Sequence, residues 1–398
     1  MMTNNPILSP PSKSSLPLSA VIAAAALSFS ALQAQTVYEW TNADGANNNW
    51  NTAGNWNPTS GSGTTHPGTV GGEATDTAIF SGVATTVGNP NVNAVYTFNH
   101  LDLQTAGWTL GNNQLRVNGT LGSAGAGTNI IPSLHTSANG ARTWTVGSGN
   151  TLQINTLAIT WEATFTGGGT AVVQSVAGGT RGLTSSGAGT TLYMNGNILS
   201  HWSETRAISG GTLGGIGTVT LANTRLLRAT GAGSILAPGG DGGLYGSEFG
   251  TLSTTTNANS NGNERVFLDN DTVFQINLGD EAGINSRINI TNSVDGATGG
   301  YLQIGTDVEL RLLGDVEPPL GNFTIATFNN PNENNAYGTF SSITYNGVAL
   351  TAETDYNIFY NENDIVLSMI PEPATSVLLF GFAVGALAFV RRRSRGYR

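Results

Sequence analysis

The sequence contains no cysteine among its 398 residues, which excludes a disulfide framework, thiolate metal sites and a thiol nucleophile. It also has little charge: Asp, Glu, Lys and Arg make up 10% of the chain, and lysine occurs once, at Lys13. The chain has instead 54 glycines and many Thr, Asn and Ser residues, which weaken helix interiors and favour turns. Because 39% of the residues are hydrophobic, the composition predicts an all-β protein of short strands joined by turns.

The N-terminal segment has the three-part order of a secretory signal peptide. Lys13 is followed by the apolar stretch Leu16–Leu32, and Ala34 stands where signal peptidase would cut. The sequence therefore predicts that residues 1–34 are a signal peptide that leads the chain into an export channel. An uncleaved N-terminal anchor is the alternative.

The C-terminal segment contains a second apolar run, the 17 uncharged residues Ala374–Val390. A run of this length is just sufficient for a helix to cross a hydrocarbon layer of about 30 Å. A basic cluster follows, consisting of Arg391, Arg392, Arg393 and Arg395, and such clusters stay on the cytoplasmic side. We expect one C-terminal transmembrane helix in the inner membrane, with the body facing outward. A permanent tail anchor and a transient sorting signal both fit this pattern.

The motif before this run resembles a known sorting signal, which favours the sorting signal over the permanent tail anchor. Pro371, Glu372 and Pro373 directly precede the apolar segment, and residues 371–398 as a whole resemble the PEP-CTERM sorting signal of Gram-negative bacteria. The resemblance implies that an exosortase, a membrane thiol transpeptidase or protease, recognises the motif and cuts near it. It also implies transient anchoring in the inner membrane, followed by release to the cell surface or extracellular matrix.

The exported body between the two signals is acidic. Residues 35–370 contain nine basic and 24 acidic side chains, a net charge near −15. This charge opposes binding to nucleic acid, which requires Lys or Arg patches. The four histidines are scattered and form no zinc motif. We expect no cofactor, although an acidic body allows weak binding of Ca²⁺.

A glycine followed by a short β-prone run recurs along the middle of the chain. The repeats begin at intervals of 20–22 residues, at Gly127, Gly149, Gly169, Gly189, Gly211 and Gly233. This period predicts a parallel β-solenoid over residues 119–255, with glycine at corners that need positive φ. The hairpins of a β-sandwich are the alternative. The stretch ISGGTLGGIGTVTL at residues 208–221 resembles the autotransporter-associated β-strand repeat, which implies a parallel β-helix in a surface protein.

The segments on either side of the repeats are expected to close the solenoid. Residues 35–118 are predicted to hold an N-terminal cap and the first coils, and Trp40, Trp50 and Trp56 form either a hydrophobic plug or a flat platform that stacks on sugars. Residues 256–370 alternate apolar and polar positions, which predicts a β-rich C-terminal cap made of further coils or of a small β-sandwich. Asn346-Gly347 is a strong hairpin turn signal.

Residues able to perform catalysis are few, and none is assigned a catalytic role. Glu204 and Arg206 can share one face of a strand, and Asp269 and Asp271 lack the pattern of a calcium-binding loop. The sequence therefore predicts an exported, non-catalytic structural or adhesive protein, and the resemblance to PEP-CTERM proteins implies that it associates with the cell envelope or the extracellular polysaccharide matrix. The alternative is a β-helix polysaccharide lyase or glycosidase, which would require Glu162, Glu204 and Arg206 to converge in one groove.

Overall fold

The computed structural model describes residues 35–45, 47–61, 65–70, 75–136, 140–177, 182–200, 203–221, 225–240, 249–256, 265–291, 300–329 and 336–370. Both predicted targeting segments lie outside these residues. They contain Ala34, Pro371, Glu372, Pro373, Arg391, Arg392, Arg393 and Arg395. Within the described ranges, no helix is long and apolar enough to cross a membrane.

The chain is all-β and winds through three long sheets. The first sheet has 13 strands, in the spatial order β2 (Trp56–Ser60), β1 (Val37–Trp40), β4 (Thr77–Phe80), β6 (His100–Leu103), β8 (Leu121–Ser123), β10 (Arg142–Val146), β12 (Ala163–Thr166), β14 (Leu183–Ser186), β17 (Thr205–Ile208), β20 (Leu226–Thr230), β23 (Arg265–Leu268), β26 (Tyr301–Ile304) and β29 (Ala336–Tyr337).

The second sheet also has 13 strands and receives the next strand of each coil. Its order is β3 (Thr69–Val70), β5 (Tyr96–Phe98), β7 (Leu115–Val117), β9 (Gly127–Thr136), β11 (Asn150–Ile159), β13 (Thr170–Val173), β15 (Thr191–Met194), β18 (Thr212–Gly215), β21 (Ile235–Pro238), β24 (Val273–Asn277), β27 (Glu309–Leu313), β30 (Ser342–Tyr345) and β31 (Val348–Ala349).

The third sheet is shorter and completes the later coils. Its seven strands are β16 (Asn197–Ser200), β19 (Thr218–Leu221), β22 (Thr251–Thr256), β25 (Arg287–Thr291), β28 (Gly321–Asn329), β33 (Asp364–Met369) and β32 (Tyr356–Tyr360). One helical turn, α1 (Ala84–Val87), and a 3₁₀ turn at Ala53–Asn55 lie near the N-terminal end.

Neighbouring strands within each sheet are parallel except at the ends of the stack, which is the arrangement of a β-solenoid. Among the described strands, antiparallel pairs occur only between β1 and β2, β3 and β5, β30 and β31, β28 and β33, and β32 and β33. The parallel coils continue beyond residue 255, because β23, β24 and β25 pair in parallel with β20, β21 and β22. A separate small sandwich over residues 256–370 is therefore wrong, and antiparallel strands are confined to the closing turns.

The core is built by columns of inward-facing side chains that repeat from coil to coil. One such column, defined by strand pairing in the second sheet, consists of Leu152, Ala171, Leu192, Leu213, Leu236, Phe274, Leu310 and Ile343. All eight are buried. Parallel strands lie about 4.8 Å apart, so each side chain packs directly on its counterparts, and no coil buries its apolar face without its neighbours.

The corner before the second sheet agrees with three of the six predicted glycines and differs by one residue from the other three. Strand pairing places Gly149, Gly168, Gly189, Gly210 and Gly233 in one column, and all five have positive φ. Asp271 and Asp307 continue the column with φ of 60° and 58°. The predicted corner residues Gly169 and Gly211 lie one residue further along, as does Gly127, which pairs with Asn150.

Gly169 and Gly211 occupy the position directly after the corner, where the space for a side chain is small. Side chains in this column point inward, and a Cβ on Gly169 would lie 2.2 Å from the carbonyl oxygen of Gly147. The same column holds the buried side chains of Asn150, Thr190 and Ser234 in other coils.

Two of these polar side chains accept hydrogen bonds from backbone N–H groups at the corners. The N–H of Gly168 donates to Oγ1 of Thr190 over 3.0 Å, and the N–H of Gly210 donates to Oγ of Ser234 over 3.1 Å. The column therefore alternates between glycines that leave space and polar residues that cap the preceding coil.

The C-terminal end is closed by turns and antiparallel strands. Asn346 and Gly347 both have positive φ, 49° and 83°, as expected for the two-residue turn that joins β30 to β31. β33 and β32 add two antiparallel strands to the third sheet. Closure of this kind leaves fewer unpaired backbone groups at the end of the stack.

Candidate functional site

The outer face of the first sheet changes chemistry along its length. Strand pairing defines one outward column, which runs through Thr143, Thr164, Thr184, Arg206, Arg228, Phe267, Gln303 and Tyr337. Two early coils present the hydroxyl groups of Thr143 and Thr164, whereas Thr184 is buried, and the later coils present guanidinium groups and aromatic rings. We call the residues Arg206, Arg228, Arg265, Phe267, Tyr301 and Tyr337 the arginine–aromatic strip.

Acidic side chains pair with the two arginines that lie next to each other in this column. Arg228 binds Asp269 with an N–O distance of 2.6 Å and lies 3.5 Å from Glu204. Arg206 lies 3.9 Å from Glu204 and 3.9 Å from Glu162. Like charges on adjacent strands repel, so the three carboxylates compensate for the two guanidinium groups.

Aromatic rings extend the strip toward the C-terminal end. The guanidinium carbons of Arg228 and Arg265 lie 5.2 Å and 5.3 Å from the ring centre of Phe267, within the range of cation–π contacts. Arg265 also donates to the Tyr301 hydroxyl over 2.8 Å. The rings of Tyr301 and Tyr337 meet edge to face at 5.0 Å, and Tyr337 is 46% exposed.

Two side-chain nitrogens of the strip are buried and unpaired within the described part of the chain. The buried Nε atoms of Arg206 and Arg265 have no acceptor among the described residues. A planar guanidinium group donates two parallel hydrogen bonds to paired oxygens, and an exposed ring such as that of Tyr337 offers an apolar surface beside a hydroxyl. This combination suits a polyhydroxylated ligand that lies across several coils.

Glu162, Glu204 and Arg206, which the enzyme alternative requires in one groove, lie close together in the structure. Glu162 and Glu204 lie in one register column two strands apart, which corresponds to about 9–10 Å between their backbones. Both carboxylates face the Arg206 guanidinium, and the three side chains are 34, 24 and 36% exposed. The group is therefore an ion-pair network on the outer face of a sheet.

The three tryptophans singled out in the sequence lie at the N-terminal end of the core. Trp40, Trp50 and Trp56 are 1, 0 and 5% exposed. Trp56 meets Trp40 and Trp50 edge to face at 5.0 and 4.7 Å. Each indole N–H donates to a backbone carbonyl, those of Gly88, Pro67 and Trp50. The alternative that these rings form a sugar-stacking platform is wrong, because their faces are covered by protein.

The acidic residues considered for calcium are used elsewhere. Asp269 pairs with Arg228, and Asp271 occupies a corner with positive φ. In the part of the chain that the structure describes, no three His, Asp or Glu side chains are placed to hold a metal ion. Weak binding of Ca²⁺ stays a prediction.

A second regular surface lies on the outer face of the second sheet. Five threonines occupy one register column, namely Thr128, Thr151, Thr170, Thr191 and Thr212. Each follows a corner of the solenoid, so a threonine shortly after each repeat glycine is the sequence signal for this ladder. Arg265, Phe267, Tyr301 and Tyr337 lacked such a signal, since they lie beyond the region of constant repeat length.

A scan against protein-family models found no match, and a search of curated proteins found none either.

Proposed function

We propose that the protein is an exported, non-catalytic structural or adhesive component of the cell surface or extracellular matrix. In this proposal residues 1–34 direct Sec-type export, and residues 371–398 anchor the chain transiently in the inner membrane until an exosortase cuts near Pro371–Pro373. The observation that carries the proposal is the C-terminal order of motif, apolar run and arginine cluster, placed directly after an all-β body.

The architecture of the body supports a structural role. Long parallel sheets present repeated side chains on their outer faces, and the ends of the stack are covered by antiparallel strands that protect against edge-to-edge association. Its negative net charge favours solubility outside the cell.

The arginine–aromatic strip is the adhesive surface in this proposal, and its partner is extracellular polysaccharide. The strip concentrates three of the nine arginines of residues 35–370 on one face. Each of its arginines contacts a ring or a carboxylate, so the groups are held in place before a ligand arrives. Preorganisation of this kind reduces the entropic cost of binding.

A carbohydrate-active β-helix enzyme is the second candidate, favoured by the proximity of Glu162, Glu204 and Arg206. Against it, the two carboxyl groups of a glycosidase flank the scissile bond, whereas here both carboxyl groups face the same guanidinium group on the outer face of a sheet. We therefore favour binding without cleavage.

The sorting proposal is tested by intact mass and fractionation of the protein from its native host, with and without the exosortase. We expect a mature form that lacks residues 1–34 and the residues after about Pro373, located outside the inner membrane. A full-length tail that stays in the membrane in both strains would show an ordinary anchored ectodomain.

The two functional candidates are separated by incubation of the purified protein with polysaccharide from the same host. The non-catalytic proposal predicts co-sedimentation with the polymer and no release of new reducing or unsaturated ends. Release of such ends, abolished in Glu204→Gln and retained in Thr164→Val, would establish the enzyme instead.

A further inference from the structure

The chain leaves the solenoid at a defined corner. β33 runs antiparallel to β28, and Met369 lies opposite Gly321, the first residue of β28. The N–H of Ile370 donates to the carbonyl oxygen of Asp355 over 3.0 Å, so this residue is still fixed to the body. The segment that begins at Pro371 therefore starts directly at this corner.

Two turns of successive coils form the corner and expose apolar side chains. The turns join the second sheet to the third and lie against each other, since a Cβ on Gly321 would meet the Cβ of Ala282 at 2.7 Å. Ile284, Val316 and Leu320 are 43, 95 and 56% exposed. We call these three residues the apolar rim. They are three of the seven large hydrophobic side chains exposed among the described residues, and they lie in the two turns that meet at Gly321, opposite Met369.

The connection between this corner and the C-terminal apolar run is short. Pro371, Glu372 and Pro373 are the only residues between Ile370 and Ala374, where the run begins. An extended chain advances at most about 3.6 Å per residue, so these four steps reach about 14 Å. The headgroup layer on each side of a bilayer is roughly 5–8 Å thick. A body tethered in this way is held with its exit corner close to the headgroups.

We propose that the apolar rim contacts the surface of a zwitterionic lipid bilayer while the C-terminal segment spans it. This inference rests on the proposed sorting function, because it requires the run after Ala374 to enter a membrane. Exposed apolar side chains at the boundary between headgroups and acyl chains gain stability in proportion to the apolar area that they bury.

The charges around the rim select the kind of lipid. Asp280, Glu281, Asp315 and Glu317 lie in the same two turns and are exposed. Anionic lipids repel such a surface, whereas basic segments are attracted to them. The proposal therefore specifies a neutral membrane surface, and the contact should weaken when anionic lipid is added.

The absence of native cysteine allows a direct test with single labels in the full chain. Val316→Cys and Leu320→Cys each carry an environment-sensitive fluorophore, and the protein is reconstituted into phosphatidylcholine vesicles that contain a headgroup-labelled nitroxide lipid. Val83→Cys is the matched control, since Val83 is 56% exposed and lies beside α1 near the other end of the stack. We expect blue-shifted emission and at least threefold stronger quenching at residues 316 and 320 than at residue 83.

Flotation of the vesicles separates the failure of this inference from the failure of the sorting proposal. If the protein floats with the vesicles but the labels at residues 316 and 320 are quenched no more than the control, the rim does not touch the bilayer and only this inference is overturned. If the protein does not float, its C-terminal segment does not enter the membrane, and both proposals fail.

Discussion

The two halves of the first sheet share one backbone frame but present different outer faces. The early coils show the hydroxyl groups of Thr143 and Thr164, whereas the later coils show Arg206, Arg228 and Phe267 in the same register column. Most inward-facing positions are apolar in both halves. The comparison shows that packing between coils determines the backbone and the inward-facing residues, whereas the outward-facing residues can differ in charge and polarity from one half to the other.

The largest effect is expected from a change in the shared frame. Gly169 belongs to the coil of Thr164 and Gly211 to the coil of Arg206, and an added Cβ would lie 2.2 Å and 2.5 Å from a backbone oxygen. Gly169→Ala and Gly211→Ala should each lower the free energy of unfolding by about 3 kcal/mol, measured by chemical denaturation.

The matched controls for these variants are the corner glycines. Gly149 and Gly233 have positive φ, and a Cβ added to either would meet open space, while Asp occupies the same column at residues 271 and 307. Gly149→Asn and Gly233→Asn should cost less than about 1 kcal/mol, since Asn tolerates this backbone conformation. Equal losses at both kinds of glycine would contradict the distinction between corner and inward positions.

A smaller effect is expected when one outward residue is changed in each half. Arg228→Met removes contacts to Asp269, Glu204 and Phe267 and should cost about 1–2 kcal/mol of unfolding free energy. Thr164→Val keeps the shape of the side chain and should change the unfolding free energy by less than about 0.5 kcal/mol.

The same two variants test polysaccharide binding. Co-sedimentation with host polysaccharide should fall at least fivefold in Arg228→Met and stay unchanged in Thr164→Val. A loss in both variants would place the binding surface elsewhere.

A weaker effect is expected from pH, and its sign differs between two carboxyl groups. Burial raises the pKa of Glu309, but hydrogen bonds from Arg311 and Thr344 and the charge of Arg311 outweigh it, so the pKa lies below its usual value. Glu309 therefore contributes stability above the ordinary pKa of Glu, which is lost as the pH falls through the folded-state value. Glu309→Gln should lower the Tm at pH 7 by a few degrees and have almost no effect near pH 3.

The other carboxyl group, Asp280, has the opposite sign. A hydrogen bond to Asp315 and the charge of that neighbour raise the pKa of Asp280. The folded state therefore loses stability as the pH rises from the ordinary pKa of Asp through the raised value. Asp315→Asn should raise the Tm slightly at pH 7 and leave it unchanged at pH 3; a lower Tm at pH 7 would show that the pair is not repulsive.

The smallest effect is expected on the threonine ladder of the second sheet. Thr151→Val and Thr191→Val replace outward hydroxyl groups that stand in a regular column. Each should change the free energy of unfolding by less than about 0.5 kcal/mol. Thr190→Val, which removes the acceptor for the N–H of Gly168, should cost about 1–3 kcal/mol and is the inward-facing comparison.

Much of the fold could be predicted from the sequence because the signal is repetitive. A glycine followed by a β-prone run every 20–22 residues requires a corner and a strand in each coil, and the all-β class with stacked parallel strands is confirmed. The exact corner residue could not be predicted where two glycines are adjacent. At Gly168 and Gly169 the pattern is the same for either choice, and only the pairing between coils assigns positive φ to the first.

The arginine–aromatic strip depends on distances that the sequence does not contain. Arg228 and Asp269 are 41 residues apart, yet their side chains are 2.6 Å apart, because the coil between them is longer than the regular repeat. The role of the tryptophans could not be predicted from the sequence either, since three aromatic residues near one end of the chain can cover a core or bind a ligand. Their burial was decided by the packing of Trp40, Trp50 and Trp56 against each other.

The sequence by itself determined the β class and the repeat period, because composition and local spacing carry these properties directly. The tertiary structure decided which glycines turn the corner, which rings are buried and which distant charges meet. The physical reason is that a coil of a solenoid acquires its register only from the coils on either side of it, so contacts between coils follow from stacking and not from separation along the chain.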